Sequence, residues 1–107
     1  MKLDRNVNAS RRGKYALILL RQWPSAPESA DRVQAALDVL SSEGMLDNGE
    51  VGTESEFFVI RLRDAYACDA LRKYADDIRE DDPEFAADVD AMARRAGMNS
   101  EWCKPPD

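Results

Sequence analysis

Two short apolar runs constrain this chain more than anything else: residues 15–20 (YALILL) and residues 57–62 (FFVIRL). Both are rich in aromatic, β-branched and aliphatic side chains that suit a pleated strand. Each leads into an arginine, Arg21 or Arg63. The segments between and after them carry apolar residues at helical spacing. That pattern predicts an α+β domain, a small two- or three-stranded sheet packed with three helices in the order β-α-(β)-β-α-α.

The first strand is expected over residues 14–22. Tyr15, Leu17 and Leu19 share one face and Ala16, Ile18 and Leu20 the other. Both faces are apolar, so the strand should be central or covered on both sides. Trp23-Pro24 closes it, because proline brings no ladder donor. The second strand is expected over residues 56–63, with Phe58, Ile60 and Leu62 facing inward. Phe57, Val59, Arg61 and Arg63 form the other face, half apolar and half charged. Arg61 and Arg63 there either blunt an exposed face or join Tyr15 or Tyr66 in a binding surface. Asp47-Asn48-Gly49 is a strong reverse-turn signal, placed to join two very short strands near Leu46 and at residues 50–52.

Three helices follow from periodicity and end signals. Ser25-Ala26-Pro27-Glu28 has the form of a capping box with an early proline. The helix it opens runs to about Glu43, with Ala30, Val33, Leu37 and Leu40 on one face and Gly44 as its stop. Asp64 is expected to cap a helix running to about Glu80, with Ala67, Leu71, Tyr74 and Ile78 as its buried stripe, widened by Ala70. Asp82-Pro83 opens the third helix, over residues 83–96. Its inner face is Phe85, Val89, Met92 and Ala96, and Gly97 ends it. Phe58, Ile60, Leu71, Phe85 and Val89 are the expected core. Residues 1–12 read as a polar arm and 98–107 as a tail, anchored by Trp102 and closed by Pro105-Pro106.

A chain of 107 residues is expected to form one domain, residues 1–107. Its 44% apolar and 34% charged content suits a folded chain rather than a disordered one. No apolar run approaches the roughly 20 residues that cross a bilayer. The first residues lack the apolar core of a signal peptide, so a cytoplasmic location without membrane contact is expected. In that setting the sequon Asn8-Ala9-Ser10 carries no meaning. Two cysteines, Cys68 and Cys103, are too few for a disulfide framework. With no histidine in the chain they are also too few for a zinc site. Cys68, among alanines, reads as a small core residue, and Cys103 as exposed.

Charge is distributed unevenly. Residues 1–14 hold five basic groups, Lys2, Arg5, Arg11, Arg12 and Lys14, against Asp4 alone. Residues 76–90 hold eight acids, Asp76, Asp77, Glu80, Asp81, Asp82, Glu84, Asp88 and Asp90, against Arg79 alone. Asp82 and Glu84 suit a helix N-terminus. Asp76, Asp77, Glu80 and Asp81 fall at a helix C-terminus, where the dipole disfavours them. Such a run is either a solvated helix face or a recognition surface for a basic partner. Asp76, Asp77, Glu80, Asp81, Asp82 and Asp88 are the candidate partner-binding residues. Asp88 and Asp90 point about 200° apart on a helix and do not make one metal site. The run from Asp76 also lacks the glycine and glutamate of a calcium loop. The basic arm is the rival feature, with phosphate contact through residues 2–14 as its functional reading. The net charge of −6 opposes tight nucleic-acid binding.

Catalytic signatures are missing: there is no nucleophile elbow, phosphate loop or dinucleotide fingerprint. Cys68 has no evident base, and acid–base chemistry without histidine would require a strongly perturbed group. The expectation is a protein without enzymatic activity and without a cofactor.

Several stretches carry a further resemblance. Arg12-Gly13-Lys14-Tyr15 leads into the first apolar run. Glu56-Phe57-Phe58-Val59-Ile60 is followed by Asp64-Ala65-Tyr66-Ala67, and the chain closes on Cys103-Lys104-Pro105-Pro106-Asp107. In these stretches, spanning most of its length, the chain resembles small proteins encoded by bacteriophages and prophages. Some of those proteins bind and inhibit host proteins, including defence systems. The resemblance implies a non-enzymatic interaction protein and supplies no site residues. The leading expectation is a protein-binding accessory factor that meets another protein's basic surface through its acidic helix pair. The alternative is a nucleic-acid-associated protein acting through the basic arm.

Overall fold

The computed structural model describes residues 13–106. The chain divides into two units, Ala16–Phe58 and a second made chiefly of residues 59–106. The secondary structure is helical: α1 (Pro27–Ser42), α2 (Ala67–Ile78), α3 (Pro83–Ala93), and short 3-10 turns at Leu20–Gln22 and Gly97–Asn99. Among the described residues no β-strand forms, and the expected α+β architecture is corrected to an α-helical one.

Both expected strands fail for the same reason. A strand is stable only as one side of a hydrogen-bonded ladder, and an apolar run does not by itself supply its partner. Residues 15–19 carry no regular structure. The chain then tightens, with the Gln22 amide donating to Leu19 O at 3.0 Å and the Trp23 amide to Leu20 O at 3.2 Å. Residues 56–61 are likewise irregular. Their side chains stay in solvent, with Tyr15 89% and Phe58 86% exposed. Phe58 and Ile60 therefore leave the expected core list.

In the unit Ala16–Phe58, α1 has the stripe that its spacing predicts. Ala30, Val33, Leu37 and Leu40 are half-buried, with Ser29 beside them and the rest of the helix exposed, yet no residue of the helix is buried. Its start differs from the capping box. Ala26 occupies the N-cap without a side-chain bond, and Pro27 is the first helical residue. Proline lacks an amide that would otherwise be unsatisfied there, so the cap matters less. The C-terminus ends as expected on Gly44 at φ +72°. The Gly44 amide donates to Ser41 O at 3.0 Å and the Met45 amide to Leu40 O at 2.9 Å, the paired bonds of a Schellman ending. The Asp47-Asn48-Gly49 turn also forms, with Asp47 Oδ1 accepting from the Gly49 amide at 2.8 Å, but no strands flank it. A side chain at Gly49 would run into the Phe57 ring.

The second unit holds the buried residues: Ala67, Cys68, Ala75, Ala86, Val89, Met92, Ala93 and Ala96. All but Met92 form two clusters between α2 and α3, and Leu62, Leu71, Ile78 and Phe85 pack around them half-buried. Most of these core residues are small, which lets helix axes approach closely. On α2 the inward face is rotated from the expected stripe. Cys68 and Ala75 are buried, whereas Ala70 and Tyr74 are exposed. Tyr74 instead sets its ring edge-on to Phe85, with centroids 6.2 Å apart. The start of α2 shifts as well. Tyr66 is the N-cap residue, and Asp64 shapes the preceding turn through its Oδ1, which accepts from the Tyr66 amide at 2.8 Å. On α3 the expected cap holds: Asp82 Oδ1 accepts from the Phe85 amide at 3.1 Å, with Pro83 in the first turn.

The C-terminal segment is tied down by backbone rather than by Trp102, which is 71% exposed. The Lys104 amide donates to Arg63 O at 3.0 Å and the Ala65 amide to Lys104 O at 2.9 Å, around an isolated parallel bridge between Asp64 and Lys104. The Gly97 amide donates to Leu62 O at 2.7 Å. Gly97 sits at φ +57°, and a Cβ there would lie 2.9 Å from Cys68 Cβ and 3.1 Å from Ala65 O. Only glycine meets both demands without strain.

Candidate functional site

The acids that stand out in the sequence gather at one end of the α2–α3 pair. α2 ends at Ile78 and α3 starts at Pro83, so the turn between them is four residues, 79–82. Both the Asp81 and the Asp82 amides donate to Ile78 O, at 3.0 and 2.8 Å. This closure brings the C-terminus of one helix to the N-terminus of the next. The carboxylates of both ends share that corner as a result.

Their roles there differ. Asp77 Oδ1 takes the Lys73 ammonium at 2.8 Å, one helical turn away. The hydrogen bond and the attraction of Asp77 hold the Lys73 pKa above its ordinary value. Arg79 Nη2 donates to Asp76 Oδ1 at 2.9 Å and lies 2.9 Å from Asp90 Oδ2, so one guanidinium links α2 to α3. The hydrogen bonds to Asp76 and Asp90 raise the Arg79 pKa further. Asp82 serves as the α3 cap. Asp88 is half-buried. Glu80 and Asp81 are exposed and take part in no ion pair or side-chain hydrogen bond among the described residues.

The six candidate partner-binding residues therefore separate. Asp76 and Asp77 are partly neutralised by local bases, Asp82 is committed to structure, and Asp88 lies back from the surface. Glu80 and Asp81 are presented outward at the turn. The neutralising bases were readable in the sequence. Lys73 stands four residues before Asp77 and Arg79 three after Asp76, the spacings at which helical side chains meet. The link from Arg79 to Asp90 had no such signal, because it depends on how the two helices pack.

Among the described residues, no group of three or more acids and cysteines is placed to hold a metal ion. Cys68 is buried, and its Sγ accepts from Asn99 Nδ2 at 3.6 Å. Cys103 is half-buried rather than exposed. Of the basic arm, Lys2, Arg5, Arg11 and Arg12 lie outside the described residues, and Lys14 is exposed. No helix of the described residues is long and apolar enough to cross a membrane. No protein-family model matches the chain, and neither the curated proteins nor the solved structures compared with it include a match.

Proposed function

We propose that this protein is a non-enzymatic binding factor that captures a basic protein partner on the acidic corner of the α2–α3 pair. The observation that carries this reading is the exposure of Glu80 and Asp81 at a turn already crowded with carboxylates. The C-terminus of α2 disfavours negative charge at this turn and the N-terminus of α3 favours it, so the helix ends largely offset each other. Neither side chain gains a compensating contact within the described residues. A cationic surface would supply that contact. The resemblance to phage and prophage proteins favours the same class of function, a modulator of a host protein in the cytoplasm.

The test is an affinity pull-down from the source cell at low and high salt, with wild type and the Glu80→Gln/Asp81→Asn variant compared by quantitative mass spectrometry. Basic proteins should be retained at low salt and released as salt rises, since exposed charges are screened over roughly 8–10 Å at ordinary ionic strength. The double variant should retain them roughly tenfold less well, with its helix content unchanged. Equal retention and an equal salt response in the two proteins would show that the corner is only a solvated surface.

A further inference from the structure

A cleft of about 480 Å3 opens elsewhere on the second unit, lined by Arg61, Leu62, Arg63, Arg95, Ser100 and Trp102. We propose that it binds a nucleoside phosphate, with the phosphate held by Arg61 and Arg95 and the base stacked on Trp102. This site is independent of the acidic corner.

Three observations support the assignment. The first is charge. In a chain of net charge −6, three of the six described lining residues are arginines, and none of these six is an acid. Arg61 forms no ion pair among the described residues, and Arg95 Nη1 donates only to the Ala91 carbonyl, at 3.1 Å. Arg63 has an interaction of its own, which leaves Arg61 and Arg95 as the two cations whose positive potential an anion would relieve. The planar guanidinium fork matches phosphate in both geometry and charge.

The second is the indole. Trp102 is largely exposed, yet its backbone is fixed. Its amide donates to Ser100 Oγ at 3.1 Å, and the Cys103 amide donates to Ser100 O at 3.2 Å. An exposed indole carried on a backbone held in place offers a flat apolar surface. Any nucleobase can stack on such a surface.

The third is preorganisation. The lining comes from three separated stretches, residues 61–63, Arg95 and residues 100–102. Gly97 N–H to Leu62 O at 2.7 Å and Lys104 N–H to Arg63 O at 3.0 Å hold these stretches together. A ligand would find the cationic and stacking groups already assembled, which lowers the cost of binding. The volume falls in the usual range for small-molecule sites.

The chemistry is shared by a free nucleotide and by the end of a single strand, and the experiment separates the two. Trp23 and Trp102 are the only tryptophans. A Trp23→Phe background therefore leaves Trp102 as the single indole reporter. Fluorescence and calorimetric titrations at low salt would use ADP, inorganic phosphate, a short single-stranded oligonucleotide and a glutamate-rich peptide. ADP should quench Trp102 saturably and bind about tenfold more tightly than phosphate, the scale of one stacking contact. Arg61→Ala/Arg95→Ala should weaken ADP by roughly tenfold or more with unchanged circular dichroism. Trp102→Ala, followed by calorimetry, should bring ADP down to the affinity of phosphate. Glu80→Gln/Asp81→Asn should leave ADP binding as it was, whether or not the acidic corner proves functional. Tighter binding of the oligonucleotide than of ADP would identify a strand end as the source, and the reverse order a free nucleotide. The proposal falls if ADP gives no saturable signal at millimolar concentration or if phosphate matches ADP. It also falls if the arginine variant keeps wild-type affinity, or if the acidic peptide binds more tightly than ADP.

Discussion

α1 is the longest helix, at sixteen residues, and buries none of them; α2 and α3, at twelve and eleven, bury seven between them. The contrast does not come from the quality of the helical signal. α1 follows its predicted stripe position for position and ends on a full set of Schellman bonds. What differs is the company each helix keeps inside its own unit. Within Ala16–Phe58 there is no second α-helix to receive the apolar face. In the other unit α2 and α3 face each other across a four-residue turn, and small residues let them close. Periodicity decides which face of a helix is apolar, whereas burial needs an opposing surface.

Substitutions can break or sharpen this contrast. The largest effect is expected from Gly97→Ala. It places a Cβ against Cys68 and the Ala65 carbonyl at a positive φ, which should cost about 2–4 kcal/mol. A urea midpoint within error of wild type would mean that the junction of residues 62, 68 and 97 is looser than described. Next comes Val89→Ala, which removes two methyl groups from the centre of the α2–α3 cluster, at about 2 kcal/mol by the same measurement. Leu37→Ala on α1 should cost less, about 1 kcal/mol or below, because Leu37 is only half-buried. If Leu37→Ala proved as costly as Val89→Ala, the unit Ala16–Phe58 would possess a core of its own and the contrast would collapse.

The same contrast explains what the chain made legible. Short-range signals read correctly. Asp82-Pro83 opened α3, Gly44 ended α1 at positive φ, and Ala30, Val33, Leu37 and Leu40 shared a face, whereas α3 stops at Ala93, short of the end expected at Gly97, which instead opens the last 3-10 turn. Features that depend on a distant partner did not. The apolar runs at residues 15–20 and 57–62 resemble strands because strand propensity largely measures fit to a half-buried pleated surface. They carry no information about whether such a surface exists. Ser25 resembles a cap by type, but Pro27 starts the helix without one. Tyr74 lies on the stripe by spacing, but the face of α2 that is buried against α3 includes Ala75 and leaves Tyr74 exposed. At the acidic corner the acids and their helical bases were visible in the sequence, while the outward presentation of Glu80 and Asp81 was not. The arginine cleft was legible only in part. Arg61 and Arg63 read either as blunting an exposed face or as part of a binding surface, but nothing local joins them to Arg95 and Trp102, more than 30 residues further along the chain.

The bridge between Asp64 and Lys104 also has a consequence in time. It joins points 40 residues apart (104 − 64), whereas α2 and α3 meet across a four-residue turn. Local contacts form before those that must first close a long loop. During refolding we therefore expect far-UV ellipticity to recover ahead of Trp102 fluorescence in the Trp23→Phe protein, and coincident recovery would rule this order out. The acidic corner belongs to the early hairpin, and the arginine cleft exists only once the chain end has docked. Partial unfolding from the C-terminus would then remove the cleft while leaving the acidic corner intact, so the two surfaces are separable in the lifetime of a single molecule.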